Sequence, residues 1–340
     1  MLIYAGIDEA GYGPIFGPLV VGRAVLAVQE GGWPDQEIGP IAALPLWKRL
    51  EQAVCRRPSD RRGRIAVNDS KKLYTPSAGP RHLERGVLTF ASLASLQPAS
   101  TDRWLDLLGE RAHRELRGMP WYEPTEQRPW AALPAHLSLG ELTIARAMLA
   151  RAAAAAGVRV LDLGASVVFE DRFNHMVEAT RSKAAVCFSF VARHLRAVWD
   201  RLGCNAPRVV IDHQGGRMRY RELLSDAFPE ARLRILDESP TASTYHLRQV
   251  DSDNGRHRRE MTLSFEVEAD SHHMPVALAS MTAKYTRELL MARFQAWFSD
   301  LAPQVKPTAG YAADARRFWS QIEPVIHRLG LDPSVLLRQR

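Results

Sequence analysis

The sequence predicts a mixed α/β fold, and three observations carry that prediction. Apolar runs rich in β-branched residues at 2–7 and 19–28 flank a segment dense in glycine and proline, which reads as strand, turn and strand. Shorter apolar runs at 208–211 and 232–236, and an alternating apolar and polar run at 262–268, read as further strands. Between them lie segments whose apolar residues recur at helical spacing, so strands and helices interleave along the chain.

Taken in order, the first turn holds Gly11, Gly13 and Gly17 with Pro14 and Pro18. A dinucleotide-binding loop needs a helix after the glycines, yet 19–28 has strand composition, and no GK[ST] exists for a nucleotide P-loop, so both readings are excluded. A basic, proline-containing stretch at 56–64 leads into a polar segment at 68–73. From 97 to 134 the chain is rich in tryptophan and proline, including Trp104, Trp121 and Trp130, the composition of an insertion or subdomain whose tryptophans form a mini-core. Helices are predicted over 139–156 and over 179–202, the second through Val186, Phe190, Val191, Leu195 and Val198. Residues 251–260 read as a loop or hairpin tip, 276–298 as a long helix, and 314–326 as a last helix ending near Gly330.

At 340 residues, with 46% hydrophobic and 24% charged residues, the chain has the balance of a globular protein large enough for two domains or one domain with insertions. Its 45 basic against 38 acidic residues leave a net charge of +7, which points to a polyanionic partner. No apolar run is long enough for a membrane span, because even the alanine-rich segment 145–156 is broken by Arg146 and Arg151. Asp8 and Glu9 sit where a secretory leader needs an uncharged core, and Cys55, Cys187 and Cys204 form no disulfide or zinc pattern. A cytoplasmic location is the expectation.

Three predicted strands finish in, or closely precede, an acidic residue: Asp8 with Glu9, Asp212, and Asp270. Carboxylates gathered at one sheet edge repel one another and raise their own pKa values, unless divalent cations offset the repulsion. Hard oxygen ligands suit Mg2+ or Mn2+, and two such ions can activate water and stabilise a leaving oxygen in phosphodiester cleavage. The plainer alternative is that each acid caps a strand or pairs with an arginine, and spacing alone does not decide between the two. Adjacent strand residues point to opposite faces, so Asp8 and Glu9 serve one site only if the strand ends between them, for which Ala10 and Gly11 leave room.

Several blocks carry a resemblance. The opening Gly6-Ile7-Asp8-Glu9-Ala10-Gly11-Tyr12-Gly13-Pro14-Ile15-Phe16-Gly17-Pro18, the Asp69-Ser70-Lys71-Lys72-Leu73 segment, and Val209-Val210-Ile211-Asp212 are similar to signatures of the type 2 ribonucleases H, ribonuclease HII and HIII. Asp270 followed by Ala279-Ser280, Ala283-Lys284 and Arg287, and then Gly310-Tyr311 with Asp314 and Arg316 ahead of Ile326-His327-Arg328, resemble its later blocks in the same order. The resemblance implies a ribonuclease H-like mixed sheet flanked by helices, with a catalytic domain over 1–300 and a C-terminal helical extension over 301–340. Stretches near 97–136 and 213–260 are then insertions relative to the family.

The same resemblance implies a Mg2+- or Mn2+-dependent endonuclease that cuts the RNA strand of RNA/DNA hybrids to 3′-hydroxyl and 5′-phosphate ends. Asp8, Glu9, Asp212 and Asp270 correspond to the metal-binding catalytic acids, and Gly11, Tyr12, Gly13, Ser70, Lys71, Lys72, Ser280, Lys284 and Tyr311 to substrate contacts. Family HII enzymes carry an arginine between the two glycines, where this chain has Tyr12, a change that bears on single embedded ribonucleotides more than on hybrids. Without the resemblance, Lys71 and Lys72 read as a solvated loop, Lys284 equally as a solvent-facing helix residue, and Tyr311 equally as core beside Phe318 and Trp319. His213, His272 and His273 lie close in sequence to two of the acids, as zinc ligands or a general base would, and the arginines at 56–64 suit nucleic acid or a solvated face. The rival functions are a nuclease of the same fold acting on structured DNA, and a nucleic-acid-binding protein that does not cleave.

Overall fold

The computed structural model describes residues 1–29, 41–74, 79–109, 115–116, 118–214, 217–250 and 258–339. β1 (Leu2–Ala10) and β2 (Leu19–Val28) pair antiparallel, as their composition predicts. A short helix α1 (Leu46–Arg49), the two-residue strands β3 (Val54–Cys55) and β4 (Ile65–Ala66), and the turn of helix α2 (Ser70–Leu73) follow. Next come α3 (Arg81–Leu93), α4 (Thr101–Leu107), α5 (Leu139–Ala155), β5 (Val158–Val168), α6 (Glu170–Thr180) and α7 (Lys183–Leu202). The chain continues through β6 (Arg208–Asp212), α8 (Arg221–Ala227), the hairpin strands β7 (Ala231–Glu238) and β8 (Ala242–Gln249), and β9 (Glu260–Glu266). It closes with α9 (Ala269–His272), α10 (Met274–Leu301) and α11 (Ala312–Arg328).

The result is the mixed α/β fold class expected. Seven strands form one sheet in the order β5-β2-β1-β6-β9-β8-β7, parallel at β1/β6 and β6/β9 and antiparallel elsewhere. Helices cover both faces, so β1 and β2 are buried on both sides and read as continuous apolar runs. Alternation still sorts their side chains. Tyr4, Val20 and Ala24 join the core beneath α10, α3 and α5, whereas Ile3, Ala5, Ile7 and Val21 join the one beneath α7 and α8. The long helix α10 lies directly on the sheet, and a Cβ added at Gly6 would stand 2.2 Å from the Pro275 carbonyl carbon, so only glycine permits that approach.

Two sequence expectations change. The helix expected over 179–202 starts later, at Lys183, because α6 ends at Thr180, Arg181 takes a left-handed conformation at φ 55° and Ser182 caps α7 by accepting from the Ala185 N–H. The tryptophans of 97–134 do not form a separate mini-core: buried Trp104 donates to Thr286 on α10, and Trp121 packs edge-on against Trp297 of the same helix. Within the expected loop at 251–260, residues 251–257 lie outside the described part of the chain.

Candidate active site

The sheet's own register opens the site. β1 pairs with β6 only from Tyr4 to Ile7, but with β2 as far as Ala10, so its last residues project beyond the end of β6. Glu9 lies in that projection, and Asp8, one residue on from the Ile7–Ile211 pair, stands level with Asp212, the last residue of β6. Asp270 arrives on α9, after a left-handed residue, Glu268, turns the chain out of β9. All four line one cavity of about 260 Å3, together with Gly11, Tyr12, Gly13, Ser70, Lys71, Ser280, Lys284 and Tyr311. The strand does not end between Asp8 and Glu9, contrary to the geometric requirement drawn from the sequence: both remain paired to β2, opposite Gly22 and Val21. Lying at the end of the sheet, the cavity can take side chains from both faces.

Burial and mutual repulsion dominate the electrostatics. Asp8, only 7% exposed, is pushed well above the usual carboxylate range by desolvation, then by Glu9 and Asp212, against a hydrogen bond from Ser280. Desolvation and then Asp212 raise Glu9 to about 7, with Lys71 opposing. Asp212 is raised to about 6, chiefly by desolvation, while the Ala269 N–H donating to it at 2.9 Å and Lys71 pull the other way. Asp270 is raised by desolvation and by Asp69, with Lys72 and Lys71 opposing. The lysines of α2 therefore face the acids, and Lys71 lines the cavity; Lys72 is exposed and acts on Asp270 by its charge without lining it.

An all-oxygen donor set of four repelling carboxylates fits a hard divalent cation in its chemistry. Among the described residues, no three His, Cys, Asp or Glu side chains already stand in a metal-holding arrangement. The histidines do not contribute: none of His213, His272 and His273 lines the cavity. His273 is instead buried between the Tyr4 hydroxyl, which hydrogen-bonds Nδ1, and Glu266, 2.8 Å from Nε2.

The glycine turn is built by buried charged groups. Arg287 donates to the carbonyls of Phe16 at 2.8 Å and Pro18 at 3.2 Å, and Arg338 donates to those of Gly11 and Pro14. Glu170 accepts from the Gly17 N–H at 3.0 Å and from the Tyr122 hydroxyl at 2.9 Å. Gly11 adopts φ +85°, and a Cβ there would lie 2.5 Å from Arg287 Nε; at Gly13 the nearest atom to an added Cβ is Tyr311 Cε1 at 3.8 Å. The first glycine thus answers to the turn, and the second leaves space above the cavity. Sequence reasoning missed Glu170 and Arg338, which carry no local pattern that separates them from other charged residues.

Of the remaining candidates, Ser70 and Ser280 are buried with their hydroxyls 3.1 Å apart. Lys284 lines the cavity while pairing with Glu288 at 2.5 Å, with its ammonium 4.8 Å from the centre of the Tyr74 ring. Tyr311 is not core: it is 52% exposed at the cavity rim.

No protein-family model matches the chain, and none of the curated proteins searched matches it. Among solved structures it is similar to a chain of the PCNA:RNase HII complex from Archaeoglobus fulgidus, at 15% identity, a TM-score of 0.41, and coverage of 100% of this chain and 95% of that one. It is similar to ribonuclease H2 from Pyrococcus horikoshii OT3 at 17% identity and a TM-score of 0.45, covering 98% and 92% of the two chains. It is also similar to Bst-RNase HIII in complex with Mn2+ at 14% identity and a TM-score of 0.40, covering 99% and 66%. Among the described residues, no helix is long and apolar enough to cross a membrane.

Proposed function

We propose that this protein is a divalent-metal-dependent endonuclease that hydrolyses the RNA strand of RNA/DNA hybrids. The observation that supports this reading most is the meeting of Asp8, Glu9, Asp212 and Asp270, from three separate stretches of chain, at one cavity. Binding alone has no use for ligands that repel phosphate, so the acids favour a cleaving enzyme over a passive nucleic-acid-binding protein. The choice of hybrid over structured DNA rests on the similarity of the sequence blocks to type 2 ribonucleases H.

In this reading Asp8, Glu9, Asp212 and Asp270 hold Mg2+ or Mn2+. Two such ions, when bound, supply the charge that activates a water and stabilises the leaving oxygen, giving 5′-phosphate and 3′-hydroxyl ends. The protein's own groups position the substrate. Lys71 presents an exposed ammonium at the cavity wall as a point charge for phosphate, while Gly13 leaves room for a sugar. Tyr311 offers a ring for stacking from the 301–340 extension, which completes a catalytic unit built by residues 1–300. Tyr12, at the cavity in place of arginine, favours longer hybrids over a single embedded ribonucleotide.

A labelled panel of RNA/DNA hybrid, duplex RNA, duplex DNA and branched DNA, each incubated with and without Mg2+ or Mn2+, tests the proposal. Metal-dependent cutting of the hybrid's RNA strand is expected. Cutting of branched DNA alone moves the assignment to the rival nuclease, and binding without cutting moves it to the non-cleaving protein.

A further inference from the structure

We propose that residues 46–66 form a binding site for the phosphate backbone of a nucleic acid strand leaving the acidic cavity. This rests on the nucleic-acid reading above and adds a surface outside the acid cluster. Within these 21 residues, seven lysines and arginines stand against two carboxylates, so the segment holds five of the chain's seven net positive charges.

The charge is organised. The segment folds around the parallel pair β3 and β4, and a second cavity of about 600 Å3 is walled by Trp47, Lys48, Arg56, Arg57, Arg61 and Arg64, among others. The Arg56 guanidinium lies 3.7 Å from the centre of the Trp47 ring, whose indole N–H donates to the Val67 carbonyl at 2.8 Å. Arg64 is fixed by Asp60 at 2.7 Å and by the Glu51 carbonyl at 3.1 Å. From α3, Arg85 donates to the Gly63 carbonyl at 2.5 Å and secures the turn between the two strands. Arg57 and Arg61 are exposed on the same cavity and form no ion pair with a described residue. The guanidinium groups of Arg56 and Arg64, held in place in this way, lose little further freedom when a phosphate arrives, while those of Arg57 and Arg61 are left open to meet it.

The two cavities are joined through Arg56. Its side chain donates to the carbonyl of Ser271, next to Asp270, at 2.8 Å, and its own carbonyl accepts from Asn68 at 3.0 Å. Asn68 opens the segment that delivers Asp69, Ser70 and Lys71 to the acidic cavity. A strand passing Lys71 therefore meets the Arg56 ribbon next. Phosphate contacts of this kind give affinity through counterion release and set register without reading sequence.

The test compares wild type, Arg57→Ala/Arg61→Ala, and a charge-matched control, Arg151→Ala/Arg159→Ala, which removes two exposed arginines from α5 and β5. Binding to hybrids extended on one or the other side of the cleft is measured by fluorescence anisotropy in metal-free buffer across a salt series, with melting temperatures alongside. Arg57→Ala/Arg61→Ala is expected to bind hybrids extended on one side about tenfold more weakly, with a salt slope shallower by about two. The shortest hybrid and the control keep wild-type behaviour. Unchanged affinity and slope at every length overturns the site, as does an equal loss on the shortest hybrid. If wild type binds and cuts hybrids, the function proposed above survives either result; a wild type that binds no hybrid overturns both.

Discussion

The hydroxyls of Ser70 and Ser280 are hydrogen-bonded at 3.1 Å, joining α2 to α10 across 210 residues of sequence, and Ser280 also reaches Asp8. Ser280 donates its hydroxyl hydrogen to Ser70, and the same side chain stands against the Asp8 carboxylate, where it lowers the pKa that burial raises. Ser280→Ala removes the interaction that opposes the raised pKa of Asp8. Hybrid cleavage is expected to fall about tenfold near neutral pH and to recover partly as pH rises, for a stability cost of about 1 kcal/mol. A pH–rate profile checks this, and one that does not shift would separate Ser280 from Asp8.

The acid cluster also makes a statement about stability. Glu9 and Asp212 have folded pKa values near 7 and 6, raised above their ordinary 4.5 and 3.8. A raised carboxylate favours the fold while protonated, so this contribution is complete below the unfolded values and is lost as pH climbs through the folded ones. In EDTA the melting temperature is expected to decline between about pH 4 and pH 7, more steeply for wild type than for Asp212→Asn. Mn2+ is expected to raise it by a few degrees at the upper end and hardly at the lower. Scanning fluorimetry over that range reads both effects.

The two glycines of the turn are expected to behave differently. Gly11→Ala forces a Cβ into Arg287 at a left-handed φ and should cost about 1–3 kcal/mol or prevent folding. Gly13→Ala meets nothing closer than 3.8 Å and should leave stability within about 0.5 kcal/mol while weakening hybrid binding. Denaturant melts and hybrid affinity of the two variants provide the comparison.

Much of the site was legible because its acids stand at strand ends, where apolar runs stop against a charge: Asp212 after Ile211 is the plain case. The placement of Glu9 was not, since it depends on β1 outrunning β6, a register that no single strand encodes. Polar β8, Ala242–Gln249, lacked the apolar alternation of a strand, and it forms through pairing with β7 and β9. Arg338 reaches Gly11 across 327 residues, and only the folded chain makes that contact. Tryptophan composition pointed to buried side chains at Trp104 and Trp121 but could not say that their cover was α10 rather than a mini-core of their own.

The central claim is that Asp8, Glu9, Asp212 and Asp270 bind divalent cations together. Calorimetric titration of Mn2+ into the metal-free protein, wild type against Asp8→Asn and Asp212→Asn, tests it directly. The expected result is saturable binding with proton release in wild type, and at least about a tenfold loss of affinity in each variant. Equal Mn2+ affinity in all three proteins would contradict the account.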